Sequence, residues 1–172
     1  MITITLGTIP YQFDRVAQWL DILLKEEVIS EPVFLQHGIT DVEALRKHKL
    51  ITTAALLPGE ELAEKIQESR LVISHAGQGS TRKLSAQDKS FVVIPRLQQY
   101  GEHIDNHQLL FARSVEHIGV TVCDNVESLK FAICNPPAPL KKNLFSGPKL
   151  VDFLADKYPR TSFRTPVGQY VH

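Results

Sequence analysis

Leu71-Val72-Ile73-Ser74-His75-Ala76-Gly77-Gln78-Gly79-Ser80 is the stretch on which the reading of this chain turns. Leu71 to Ser74 is apolar enough to be a strand buried on both faces, as strands of parallel sheets are. Gly77 to Gly79 form a turn, and Ser80 to Gln87 reads as a helix whose start Ser80 can cap. A helix start carries unpaired N–H groups and a partial positive charge, so it favours an anionic group such as a diphosphate. Gly77 and Gly79, with Gln78 between them, let that group come close to the backbone. No Gly-Lys-Ser/Thr follows, so this is not a Walker loop, and it is not G-x-G-x-x-G either. His75, at the strand end, can donate to a phosphate oxygen or fill a structural place. On spacing alone, a plain capped turn competes with the anion site.

The same alternation extends in both directions. Strands are expected at Ile2–Leu6, Val33–Gln36, Leu50–Ala55, Phe91–Ile94 and Val120–Val122. Between them lie helical patterns at Phe13–Ile29, Asp41–His48, Glu60–Glu68, Asp105–His117 and Val126–Cys134. The first of these repeats Phe13, Val16, Ala17, Leu20, Leu23 and Leu24 at the spacing of an amphipathic helix. Strands alternating with helices imply right-handed crossovers and a parallel sheet. The fold class is therefore α/β, a doubly wound Rossmann-like sheet in the order 3-2-1-4-5-6. In that order the crevice opens between the first and fourth strands, at their carboxyl ends. Gly7-Thr8 and the His75–Ser80 loop would meet there. One domain is expected over 1–148, with a last helix at Lys149–Lys157 and a tail after it, beyond the proline-rich connector Asn135–Leu140.

Composition narrows the functions. The 172 residues carry 19 Lys plus Arg and 19 Asp plus Glu, a formal net charge of +0, which argues against binding driven by release of nucleic-acid counterions. Hydrophobic residues at 43% and charged residues at 22% suit an ordinary globular domain. No run approaches the roughly 18 apolar residues of a membrane span. MITITL has no basic leader and reads directly as a strand, so no signal peptide is expected. Cys123 and Cys134 form no C-x-x-C pair and read as free thiols of a cytoplasmic protein.

A second constellation is Tyr100-Gly101-Glu102-His103-Ile104-Asp105-Asn106-His107-Gln108, after the fifth strand. Its acid, imidazole and amide groups, dense at the carboxyl edge of a sheet, suit a polyhydroxyl ligand. The bland reading is a solvated helix start with Asp105 as a favourable anion. His103 and His107 have an i, i+4 spacing, but no clear third metal ligand accompanies them and no metal is expected. Thr5-Leu6-Gly7-Thr8, followed by Phe13-Asp14, is a weaker signal.

Together TLGT…FDR, VFLQHG, LVISHAGQGS, FVVIPR and YGEHIDNHQ resemble the C-terminal, nucleotide-sugar-binding domain of glycosyltransferase family 28. The pieces run in family order from about Ile4 to Gly119. They are most similar to the small one-domain members of two-subunit glycosyltransferases, which include the catalytic subunit of the dolichol-linked N-acetylglucosaminyltransferase and bacterial exopolysaccharide and capsule relatives. The resemblance implies one half of a GT-B fold. It also implies that Gly7, Thr8, His75, Gly77, Gln78, Gly79 and Ser80 hold a donor diphosphate. Glu102, His103 and Asn106 stand where related plant-type enzymes contact sugar hydroxyls. Lys83 departs from the family, which often has a ribose-binding Glu there. Either the ribose is held otherwise, or Lys83 and Arg82 meet phosphate or a partner, or donor binding is weak.

The resemblance further implies a donor-binding catalytic subunit of an inverting glycosyltransferase. It would move sugar from a nucleoside diphosphate sugar, with UDP favoured, to a lipid-linked acceptor in polysaccharide synthesis. A membrane-anchored partner would supply the acceptor half and hold the chain at the cytoplasmic membrane face. No cofactor is expected. His103 and Asp14 are the candidate bases within this chain. The rival reading is a non-catalytic nucleotide-sugar-binding or regulatory subunit.

Overall fold

The computed structural model describes residues 1–140. Six strands, β1 (Ile2–Thr5), β2 (Val33–Gln36), β3 (Ile51–Ala54), β4 (Leu71–His75), β5 (Phe91–Ile94) and β6 (Thr121–Val122), form one sheet in the order β3-β2-β1-β4-β5-β6. Every pairing is parallel. This is the order expected from the sequence. The helices are α1 (Asp14–Lys25), α2 (Gly59–Glu68), α3 (Gln78–Ser85), α4 (His107–Glu116) and α5 (Val126–Cys134).

The strand period of two sorts the core into two layers. Ile2, Ile4, Val33, Leu35, Leu71, Ile73, Val92 and Ile94 face α1 and α5, meeting Val16, Leu20, Leu23, Leu129 and Ile133. Val72, Phe91 and Val93 face the other way, against Ile66 of α2, Leu84 of α3 and Phe111, Ala112 and Val115 of α4. Helices on both faces leave only the strand ends open, so the carboxyl edge is where polar loops collect. On the second face the centre of the sheet is polar. Thr5 donates to Ser74 Oγ at 3.1 Å, and Ser69 donates to Thr3 Oγ1 at 2.8 Å. Buried hydroxyls there satisfy one another instead of facing apolar partners.

Several element boundaries differ from expectation. The first helix stops at Lys25 because Glu27 takes φ 56 and turns the chain. The Asp41–His48 pattern yields only a 3-10 turn at Leu45–Lys47, since Leu45 alone of those three is buried. A run this short has too little apolar surface to hold a full helix. The last long helix starts at His107, two residues later than expected, because Asp105 Oδ1 accepts the His107 N–H at 2.9 Å in a local turn. The expected helix Lys149–Lys157, the tail and the boundary at 148 lie outside the described residues.

Candidate functional site

The loops after β1 and β4 do meet, because Thr5 and Ser74 are register partners in adjacent strands. His75 occupies their junction. Its Nδ1 donates to the Thr5 carbonyl at 3.3 Å. A Cβ on Gly7 would lie 3.0 Å from its Cε1, and one on Gly77 only 2.5 Å from its Nε2. The imidazole fills the room that two missing side chains leave. Gly7 also has φ +83, a backbone conformation costly for other residues. Burial pushes the His75 pKa down to about 4, and the Arg96 charge adds to this against the Thr5 carbonyl. The ring is neutral at pH 7, with its hydrogen on Nδ1 and a lone pair on Nε2. His75 in this state has no N–H to give a phosphate oxygen. In this arrangement the imidazole shapes the turn between the two loops.

Helix α3 begins at Gln78, with Gly77 as its N-cap and no side chain capping it. Ser80 is thus the third helical residue and not the cap; the turn leaves the strand two residues earlier than the Ser signal suggests. Thr81 is the first residue to bond back, its N–H reaching the Gly77 carbonyl at 2.9 Å. The amides of Gln78, Gly79 and Ser80 precede that bond and have no acceptor in the helix. A Cβ at Gly79 would meet nothing within 4 Å, so the space beside that residue is open.

The opposite wall comes from the β5–α4 loop. A cleft of ≈ 200 Å³ is lined by Ala76, Gly77 and Gln78 on one side and by His103, His107 and Gln108 on the other. The structure therefore brings His103 to the glycine loop. Glu102 is different. Only 3% exposed, it accepts from Arg15 through both oxygens at 2.9 Å and from the Leu97 N–H at 2.8 Å. Asn106 accepts from the Gln98 N–H at 3.3 Å. Thr8 is exposed on the β1 loop. Asp14, the first residue of α1, lines a separate groove with Gln12, Arg15, Gln18 and Tyr100. It is not brought to the glycine loop. Lys83 and Ser80 border a third hollow, between α2 and α3. Among the described residues no three His, Cys, Asp or Glu side chains are grouped to hold a metal ion.

The organising residue was not singled out from the sequence. Arg96, 1% exposed, follows β5 and donates to the carbonyls of Leu6 (2.7 Å), Tyr11 (2.8 Å), Gln12 (3.2 Å) and Glu102 (3.0 Å). Its guanidinium lies 4.4 Å from the Phe13 ring centre. Burial lowers its pKa to about 10, with Glu102 opposing, so it keeps its charge. One cation thus fixes the β1 loop to the β5 loop. The only signal was a Pro-Arg pair ending a wholly apolar strand, where a charge has to be paired or expelled.

The same architecture recurs in known proteins. The glycosyltransferase family 28 C-terminal domain matches residues 1–135. The chain belongs to this family. Comparison with curated protein sequences returns no significant match. Among solved structures, MurG of Acinetobacter baumannii is 22% identical with a TM-score of 0.53, covering 77% of this chain and 40% of its own. ALG13, solved by NMR, is 17% identical with a TM-score of 0.58, covering 83% of this chain and 89% of its own. The chain thus spans well under half of the MurG length and most of the ALG13 length. At these identities the likeness is one of fold: a Rossmann-like half of a GT-B glycosyltransferase.

Proposed function

We propose that this family 28 domain is the donor-binding catalytic subunit of a two-component inverting glycosyltransferase. Its donor is a nucleoside diphosphate sugar, UDP being the favoured nucleotide, and its acceptor is a lipid-linked sugar in polysaccharide synthesis. The observation that carries the reading is the uncapped start of α3. Three amides, of Gln78, Gly79 and Ser80, open beside a cleft whose far wall holds His103, His107 and Gln108. Amides fixed in the backbone stabilise the charge that builds on a leaving diphosphate without reorganising. His75 sets the turn from which they project. Gly7 contributes by leaving room for His75, and Thr8 lines the mouth of the crevice. His103 and Asn106 face the sugar side. Glu102 acts there by holding the loop, through Arg15.

A partner chain supplies the acceptor half and the membrane anchor. Among the described residues no helix is long and apolar enough to cross a membrane. In this reading the chain sits on the cytoplasmic face through that partner. The base that accepts the acceptor proton is His103 or belongs to the partner, because Asp14 lies off the cleft. That placement is also what favours the second reading, a nucleotide-sugar-binding subunit that does not itself catalyse. Thermal denaturation with UDP, UDP-glucose and UDP-N-acetylglucosamine tests the common core of both. A ligand bound only by the native state raises Tm with concentration. No rise with any of them, or a rise equal to that with ADP-glucose, counts against the reading. Sugar transfer by the complex of this chain with its partner, against donor binding without transfer, separates catalysis from carriage.

A further inference from the structure

Tyr100 carries an aromatic ring that is held in place and yet left open. The residue is 59% exposed, and the Arg15 guanidinium lies over its ring, 5.4 Å from the centre. Arg15 is itself fixed. It donates to both oxygens of Glu102 at 2.9 Å and to the Pro95 carbonyl at 2.8 Å, and it lies 4.7 Å from the Trp19 ring centre. Gly101, at φ 67, ends the short turn Gln98–Tyr100 that carries the ring. Gln98 Nε2 donates to the Ile104 carbonyl at 2.9 Å and closes the loop on itself. A ring fixed in this way gives contact area with little left to order on binding.

The ring borders a groove of ≈ 360 Å³ together with Gln12, Asp14 and Gln18. Asp14 and Gln18 are one turn apart on α1 and so share a face. All three side chains are exposed, and among the described residues their polar tips have no hydrogen-bond partner. They offer two amides, each both donor and acceptor, and one carboxylate that only accepts. Arg15, the cation of the groove, is already paired with Glu102, so a ligand meets the Asp14 charge. That charge repels an anion such as a diphosphate and attracts hydroxyls, which donate. A solvated helix start accounts for Asp14 alone. It does not account for a fixed open ring beside two free amides.

We propose that this groove is a second binding site, which takes a neutral hexose or hexosamine ring that is not part of the nucleotide donor. A pyranose has an apolar C–H face and a rim of hydroxyls. The C–H face packs on the side of Tyr100 away from Arg15, where the π cloud is negative. Rim hydroxyls pair with Gln12, Asp14 and Gln18. The groove and the glycine-loop cleft lie along the same β5–α4 loop but share no lining residue. The site therefore stands apart from the donor reading, and a saccharide in it leaves the α3 amides free.

¹H–¹⁵N spectra of the full chain, titrated with glucose, N-acetylglucosamine, cellobiose and chitobiose, read the site directly. The reporters are the side-chain amides of Gln12 and Gln18 and the backbone amide of Gly101. At least one of these sugars should shift all three saturably. Tyr100→Ala should weaken that binding about tenfold, the worth of one ring face, and Tyr100→Phe should keep it. Gln18→Ala, a change on an exposed helix face that alanine suits, should also weaken it and serves where Tyr100→Ala disturbs the loop. UDP should neither shift the three reporters nor displace the sugar. No saturable shift with any of the four sugars overturns the proposal. So do shifts that survive both Tyr100→Ala and Gln18→Ala unchanged, or a sugar that UDP displaces. If the sugars bind as expected and UDP does not bind at all, the donor reading fails and this site stands.

Discussion

His75 donates to the Thr5 carbonyl at 3.3 Å, across the two strands between which the crevice opens. The bond uses the one hydrogen a neutral imidazole has, and burial keeps the ring neutral down to about pH 4. The imidazole thereby holds the backbone from which the α3 amides project.

The neutral ring gives stability a pH dependence of definite sign. His75 in the unfolded chain protonates near its ordinary value of 6.5, and in the folded chain near 4. Between these values the unfolded state binds the extra proton, so stability rises with pH there. The full contribution is present above 6.5 and is lost as pH falls towards 4. It amounts to roughly 3 kcal/mol, at about 1.36 kcal/mol per pH unit. Urea unfolding from about pH 7 down to about pH 4 should show this loss. A His75→Gln variant should show a flatter profile.

The two loop glycines should behave oppositely on substitution. Gly77→Ala drives a methyl to 2.5 Å from the imidazole and should cost about 1–3 kcal/mol as overpacking. Gly79→Ala meets open space and lies in a helix, where alanine is favoured over glycine by about 1 kcal/mol. It should fold at least as well as the wild type yet bind UDP less tightly, because in the proposed donor pose the methyl crowds the diphosphate. Paired denaturation and calorimetry check both.

Legibility from the sequence was uneven, for physical reasons. Sheet order was readable because strands such as Phe91–Ile94 are continuous apolar runs, and the short connections leave few topologies. The start of α3 was misplaced because Ser80 looks like a cap, whereas the turn is built by His75 packing against Gly77, a contact invisible to local pattern. Glu102 takes its expected sugar role from the family resemblance, and its burial and ion pair are not visible in the local sequence. Its partner, Arg15, is 87 positions away. Arg96 escaped notice because its acceptors are backbone carbonyls, which no residue type advertises.

Arg96 and Glu102 should therefore fail as structural residues before they fail as ligands. Arg96→Met and Glu102→Ala each leave buried groups of the opposite side unpaired, and each should lose about 3–5 kcal/mol. Arg15→Met combined with Glu102→Leu should be milder than the sum of its single changes, since the pair is removed together. A double-mutant cycle in guanidinium chloride measures the difference.

The proposed donor recognition rests on the amides at the start of α3 holding the diphosphate. Titration of ¹⁵N-labelled chain with UDP, read at the backbone amide resonances, tests this most directly. The largest saturable shifts should fall on Gln78, Gly79 and Ser80, with a smaller effect at Gly77. Saturable binding that leaves these three unmoved, or no binding at all, would contradict it.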